Sequence, residues 1–216
     1  MLVLPDGCLK RLKMHCEKRP MLLIVDEAQP TFGRCGSLFC FEAHGVVPDI
    51  MSLSKTLWHG MPLSAVVTSN KIAEKTASVN FLFYTTHVND PLPCAAGSKV
   101  IDIVIRDDLV QNSKNMGSLF RSELEHLRKN YNQIGDIRGR GLMTGVEIID
   151  PKTKHTDVVL AGRLADKMME LGLSANLIRV PPFGGVFRIA PPITIPRKEI
   201  MLGASTFAKS FKELLG

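Results

Sequence analysis

The chain has 216 residues, 45% of them hydrophobic and 22% charged, with a formal net charge of +6 and a pI near 9.1. These proportions exclude a disordered chain, and no apolar run reaches the roughly 18 residues that span a bilayer. The basic residues are scattered rather than striped with aromatics, which argues against a nucleic-acid partner, and five cysteines without a secretion leader argue against a disulfide framework.

The opening MLVLPDGCLKRLKMHCEKRP is not a signal peptide, because Pro5, Asp6 and a basic stretch interrupt any apolar core segment. It reads as a helix in mid-domain, capped by Asp6, with Cys8, Leu12 and Cys16 on one face and Lys10, Arg11, Lys13, Lys18 and Arg19 on a solvated one. Apolar runs at 21–27, 48–54 and 62–69 predict strands, the first and last buried on both faces as in a parallel sheet. Residues 96–131 read as long helix. After that come a strand at 142–149, a helix at 157–171 stopped by Gly172, a strand at 185–190, and a last helix after Pro196 with Ile200, Ala204, Phe207, Phe211 and Leu214 on one face. The order predicts an α/β region followed by a smaller α+β unit.

Cys35, Cys40 and His44 form a C-x4-C-x3-H arrangement that lacks the fourth ligand a zinc site wants, so the two cysteines read as buried or surface thiols. Asp26-Glu27 at a strand end is a pattern that nucleotide triphosphatases use for magnesium, but no G-x-x-x-x-G-K-[ST] loop accompanies it. GRGLMTG leads into a strand instead of opening a helix, so its glycines are read as turn glycines and not as a dinucleotide fingerprint.

Lys55 is the only formal charge between Asp49 and Lys71. Either its stem snorkels to a surface or its amine is desolvated to act as a nucleophile. In an open α/β sheet, ligands sit beyond the carboxyl ends of the strands. Asp26 ends one predicted strand and Lys55 follows the next. An amine and a carboxylate so placed suit pyridoxal phosphate (PLP): the amine condenses with the aldehyde, and the carboxylate keeps the pyridine nitrogen protonated. Gln29 could donate to the ring hydroxyl, and Ala28 is small enough to let the ring lie against the backbone.

LLIVDEAQ…FGRCG, PDIMSLSKTL and GDIRGRGLMTGVEI together resemble the class III PLP-dependent aminotransferases of fold type I. FLFYTTHVNDPLP (81–93) and FGGVFRIAPPIT (183–194) are similar to 2,2-dialkylglycine decarboxylase within that class. The resemblance implies part of a PLP-binding large domain over 1–95, connecting helices over 96–131 and a small α+β domain over 132–216. It implies Lys55 as the residue that carries PLP, with Asp26, Ala28, Gln29 and Thr86 binding the cofactor, Thr86 across a dimer interface, and Arg188 clamping the substrate carboxylate. A potassium or sodium ion held by Thr86, the Val88 carbonyl and Asp90 is also implied. So are decarboxylation and transamination of 2,2-dialkylglycines with a 2-oxo acid acceptor, in a homodimer or tetramer without nucleic acid or membrane. An ω-amino-acid aminotransferase and a non-catalytic remnant are the alternatives. The compartment expected is the cytoplasm, or the mitochondrion if a longer N-terminus carries an address.

Two departures stand out. Pro30-Thr31 replaces the usual Thr-Gly after the DE-x-Q motif, and the bulky pair Trp58-His59 follows Lys55 where small residues are usual. The family's glycine-serine phosphate loop and ring-stacking aromatic are not among these residues, so the sheet is expected to be partial and the chain inactive by itself.

Overall fold

The computed structural model describes residues 1–57, 60–179 and 184–216. Trp58 and His59, the bulky pair that follows the lysine, lie outside them, as does Phe183 at the head of FGGVFRIA. The residues group into two compact units, Leu4–Val110, and Gln111–Gly216 with Met1–Val3.

The first unit contains α1 (Cys8–Lys18), β1 (Ile24–Asp26), β2 (Ile50–Leu53), β3 (Ala65–Thr68), α2 (Asn70–Ser78) and α3 (Pro91–Arg106). The cap of α1 is Gly7, not Asp6. Its φ of +73° is a left-handed turn that glycine takes without a Cβ penalty, and its carbonyl accepts from Arg11 N–H at 2.9 Å. The buried face is also rotated from the expected one: Leu9 and Cys16 pack with Leu23 and Val46, while Leu12 is exposed. Lys13 is drawn out of the solvated face by Asp49, 2.7 Å away. The second Asp49 oxygen accepts from Leu23 N–H at 2.8 Å, so one carboxylate ties α1 to the entry of two strands.

These strands form a sheet in the order β1-β2-β3. β1 and β2 are parallel, pairing Ile24 with Ile50 and Asp26 with Ser52. β3 runs antiparallel to β2, against the parallel expectation. The physical reason is the connection: residues 54–64 are too few for the crossover a parallel return requires, and their described part holds one 3₁₀ turn, Lys55–Leu57. Nor is the sheet buried on both faces. Ile24 is 63% and Val66 70% exposed, on the face that also carries Asp26 and Ser52. An apolar run marks a strand but does not say what covers it.

The long helix expected over 96–131 is two helices. α3 ends at Arg106, whose guanidinium grips Asp107 through two bonds of 2.7 and 2.8 Å. Asp108 then takes φ +49°, a left-handed value that aspartate tolerates better than most residues, before α4 (Leu109–Arg128) begins. The two compact units meet along the chain at Val110/Gln111, just inside α4.

The second unit adds β4 (Ile134–Arg140), β5 (Met143–Ile148), α5 (Val158–Glu170), β6 (Asn176–Leu177), β7 (Val186–Ile189) and α6 (Arg197–Leu215). The strands form an antiparallel sheet in the order β4-β5-β7-β6. Val146, Ile148 and Phe187 on one sheet face join Leu164 and Met168 of α5 and Phe207 and Phe211 of α6 in a fully buried core. Asp157 caps α5 by accepting from Leu160 N–H at 2.8 Å. The glycines of GRG shape the β4–β5 turn and let α4 approach it. A Cβ on Gly117 of α4 would lie 1.8 Å from the Gly141 oxygen, which Arg121 also binds at 2.6 Å. Among the described residues no helix is long and apolar enough to cross a membrane.

Candidate active site

Because β1 and β2 are parallel, their carboxyl ends share one edge of the sheet. Asp26 closes β1 and Lys55 follows β2 by two residues, so both stand at that edge. Asp26 Oδ1 accepts from Ala28 N–H at 2.9 Å and from the Ser52 hydroxyl at 3.2 Å. A carboxylate held from two directions presents a fixed charge rather than a mobile one. Lys55 opens the 3₁₀ turn with φ +43°, a left-handed conformation that costs a non-glycine residue energy and is found where surroundings enforce it.

Part of that enforcement comes from α3. Leu57, buried in the turn, and Leu63 pack on Gly97: a Cβ there would lie 2.5 Å from Leu63 Cδ2 and 3.4 Å from the Leu57 oxygen. The glycine lets the turn that carries Lys55 sit against the helix. Lys55 itself is exposed, contrary to the expectation of a desolvated amine, because the turn lies past the end of the ladder and the described part of its unit does not cover it. The buried charge of the neighbourhood is Glu27 instead, at 0% exposure. Its two oxygens accept from Cys40 N–H at 3.0 Å and Phe41 N–H at 2.9 Å. Burial pushes the Glu27 carboxyl above the ordinary glutamate range, and these two N–H donors pull it partly back. Glu27 is thus the anchor of the loop after β1, not half of a magnesium pair, and among the described residues no cluster of three His, Cys, Asp or Glu could hold a metal.

The remaining expected residues are spread over other elements. Ala28 and Gln29 lie half-buried in the turns after Glu27. Thr86 and Val88 are exposed in the turn 86–89, and the Asp90 carboxylate engages His87 Nδ1 at 3.3 Å at the start of α3. Arg188 lies in the second unit on β7, in register with Gly145 and Asn176, on the sheet face opposite the core. Arg138 shares that face and is neutralised by Asp136 and Glu147 at 2.7 and 2.6 Å.

The Aminotransferase class-III family matches residues 1–211. The chain belongs to that family. An uncharacterized aminotransferase of Schizosaccharomyces pombe is 50% identical over 200 residues, covering 91% of this chain and 44% of its own length. Human alanine–glyoxylate aminotransferase 2, mitochondrial, is 31% identical over 212 residues, covering 97% and 41%. The crystal structure of an amine transaminase from an uncultivated Pseudomonas species, in its PLP-bound form, superposes with a TM-score of 0.89 at 29% identity, covering 98% of this chain and 49% of that one. The chain therefore spans less than half the length of these relatives. They are aminotransferases and transaminases, and the expectation of a decarboxylase gives way to the aminotransferase alternative.

The donor set at the sheet edge fits the PLP that is typical of class III aminotransferases: a primary amine, a hydrogen-bonded carboxylate and a small residue between carboxylate and amide. Ser52, which orients Asp26, was not singled out from the sequence. Its place opposite Asp26 depends on a strand register that no local motif encodes.

Proposed function

We propose that this chain carries the PLP-anchoring half of a class III aminotransferase that moves an amino group between a small amino acid and a 2-oxo acid. What supports the reading is the placement of Lys55 and of a Ser52-oriented Asp26 at one edge of two parallel strands. Lys55 would hold PLP covalently, Asp26 would keep the ring nitrogen protonated, Gln29 would meet the ring hydroxyl and Ala28 the ring face. Bound PLP supplies the electron sink that allows a bond at the substrate Cα to break. The Lys55 amine would move the proton at that carbon. Arg188 would grip the substrate carboxylate with its planar fork.

Thr86 would reach the cofactor phosphate of a second subunit. The run Phe81–Tyr84 just before it, 64%, 84%, 67% and 79% exposed in residue order, supports a homodimer or tetramer. The name of the human relative favours an alanine-type donor, a glyoxylate-type acceptor and a mitochondrial address.

The experiment is borohydride reduction after incubation with PLP, followed by peptide mapping. A pyridoxyl group on Lys55 that disappears in Lys55→Ala is the expected result. Labelling of another lysine in both proteins would overturn the assignment.

A further inference from the structure

Cys35 and Cys40 lie at the two ends of a turn folded back on itself, and their thiols are hydrogen-bonded to each other. Gly36 N–H reaches the Gly33 carbonyl at 2.9 Å and Gly33 N–H the Leu38 carbonyl at 3.4 Å, which closes the turn. Gly36 makes the reversal with φ +81°. Cys40 is held from behind by its N–H bond to Glu27, 3.0 Å long. Both residues are half-buried. The other cysteines are elsewhere: Cys8 and Cys16 on α1, and Cys94 on α3. No third metal-ligating side chain joins the pair among the described residues, so a zinc site is not what the geometry prepares.

We propose that Cys35 and Cys40 are a redox-active dithiol, closed to an intramolecular disulfide by exchange with a low-molecular-weight disulfide of the glutathione type. The hydrogen bond to Cys40, with burial behind it, holds the Cys35 thiol well above the ordinary cysteine range, so Cys35 is the thiol that reacts second. The Cys40 thiolate, its proton lost to solvent, attacks one sulfur of the reagent RSSR. A Cys40–SR bond forms and RS⁻ leaves. Cys35 then gives up its proton and attacks the Cys40 sulfur, forming the Cys35–Cys40 bond and expelling the second RS⁻. The protein loses two electrons and two protons, and RSSR becomes two RSH. The short loop between the two thiols makes the second step faster than attack by a further reagent molecule. The closed bond staples the turn that delivers Cys40 and Phe41 N–H to Glu27, next to Asp26. This inference is independent of the cofactor reading.

The test uses the full chain incubated with excess glutathione disulfide at about pH 8, near the ordinary thiol range, then acid-quenched, unfolded and alkylated. Trypsin releases Cys35–Lys55 as one peptide. The expected product is that peptide lighter by two hydrogens and without alkyl groups, returning to a doubly alkylated form after reduction. In Cys35→Ser the expected product is a glutathione adduct on Cys40. Glutathione adducts on both cysteines of the unsubstituted chain, or two alkylated thiols there while Cys94 reacts, would overturn the proposal. That readout needs no variant to fold.

Discussion

The Ser52 hydroxyl donates to Asp26 Oδ1 at 3.2 Å from the register-paired position of the neighbouring parallel strand. The bond spans the two strands whose ends carry the candidate site, so strand pairing and carboxylate orientation are set together. Among the described residues, Ser52→Ala leaves Asp26 with only Ala28 N–H as a donor. The bond is solvent-exposed, so the stability cost is expected to stay below about 1 kcal/mol. PLP affinity, followed by absorbance titration, is expected to fall several-fold. In Asp26→Asn the fold is retained and turnover of the active enzyme drops by orders of magnitude, because a neutral amide no longer holds the pyridinium proton. Near-normal turnover would reduce Asp26 to a strand-end carboxylate.

Glu27 predicts a pH dependence. Its native carboxyl sits above the unfolded value, chiefly through burial, so the folded chain binds the extra proton. The stabilisation is complete below the ordinary glutamate pKa and is lost as pH rises through the elevated native value, at up to about 1.4 kcal/mol per pH unit. Tm measured against pH is expected to decline across that window. Glu27→Gln is expected to flatten this decline while costing about 1–3 kcal/mol, since an amide nitrogen cannot accept from the second backbone N–H.

Gly97→Ala tests whether α3 positions Lys55. The added Cβ meets Leu63 Cδ2 at 2.5 Å, against a flexible side chain, and the Leu57 carbonyl at 3.4 Å. Overpacking of this kind costs about 1–3 kcal/mol. Borohydride-trapped labelling of Lys55 is expected to fall more than the change in folded fraction, measured by circular dichroism, accounts for.

The implied alkali-metal site predicts different rates of the active enzyme in potassium and sodium at equal ionic strength. Asp90→Ala should erase the difference. The variant is expected to fold, because the Asp90 side chain makes no capping bond to α3 and is half-exposed. Equal rates in both salts would leave residues 86–90 as a turn shaped by Pro91 and Pro93.

The 216-residue chain by itself is expected to bind PLP weakly, to show no transamination and to release no CO2 from 2-aminoisobutyrate. Its three-stranded sheet leaves Ile24 and Val66 uncovered, and the resemblance assigns the phosphate loop and stacking aromatic to residues not present here. Turnover by the pure chain would show those parts to be dispensable.

Residue chemistry was readable from the sequence. A lone lysine in an apolar stretch, a strand ending in Asp-Glu and the spacing between them point to one cofactor, because these depend on residue type and local period. The amphipathic helices α5 and α6 were legible for the same reason: each buries its stripe in a core that its own period predicts. Local pattern failed where a long-range choice intervened. β4 was missed because a register shift between Ile134 and Asp136 breaks its alternation. The direction of β3 was set by the short connection before it, and the break between α3 and α4 by the left-handed backbone of Asp108. Only tertiary structure decided that Lys55 is exposed while Glu27 is buried, that Ser52 is the residue holding Asp26, and that Cys35 and Cys40 meet. Each depends on which strand or turn lies alongside, and that pairing is settled by the balance of burial and hydrogen bonding over the whole unit, not by any residue's neighbours in the chain.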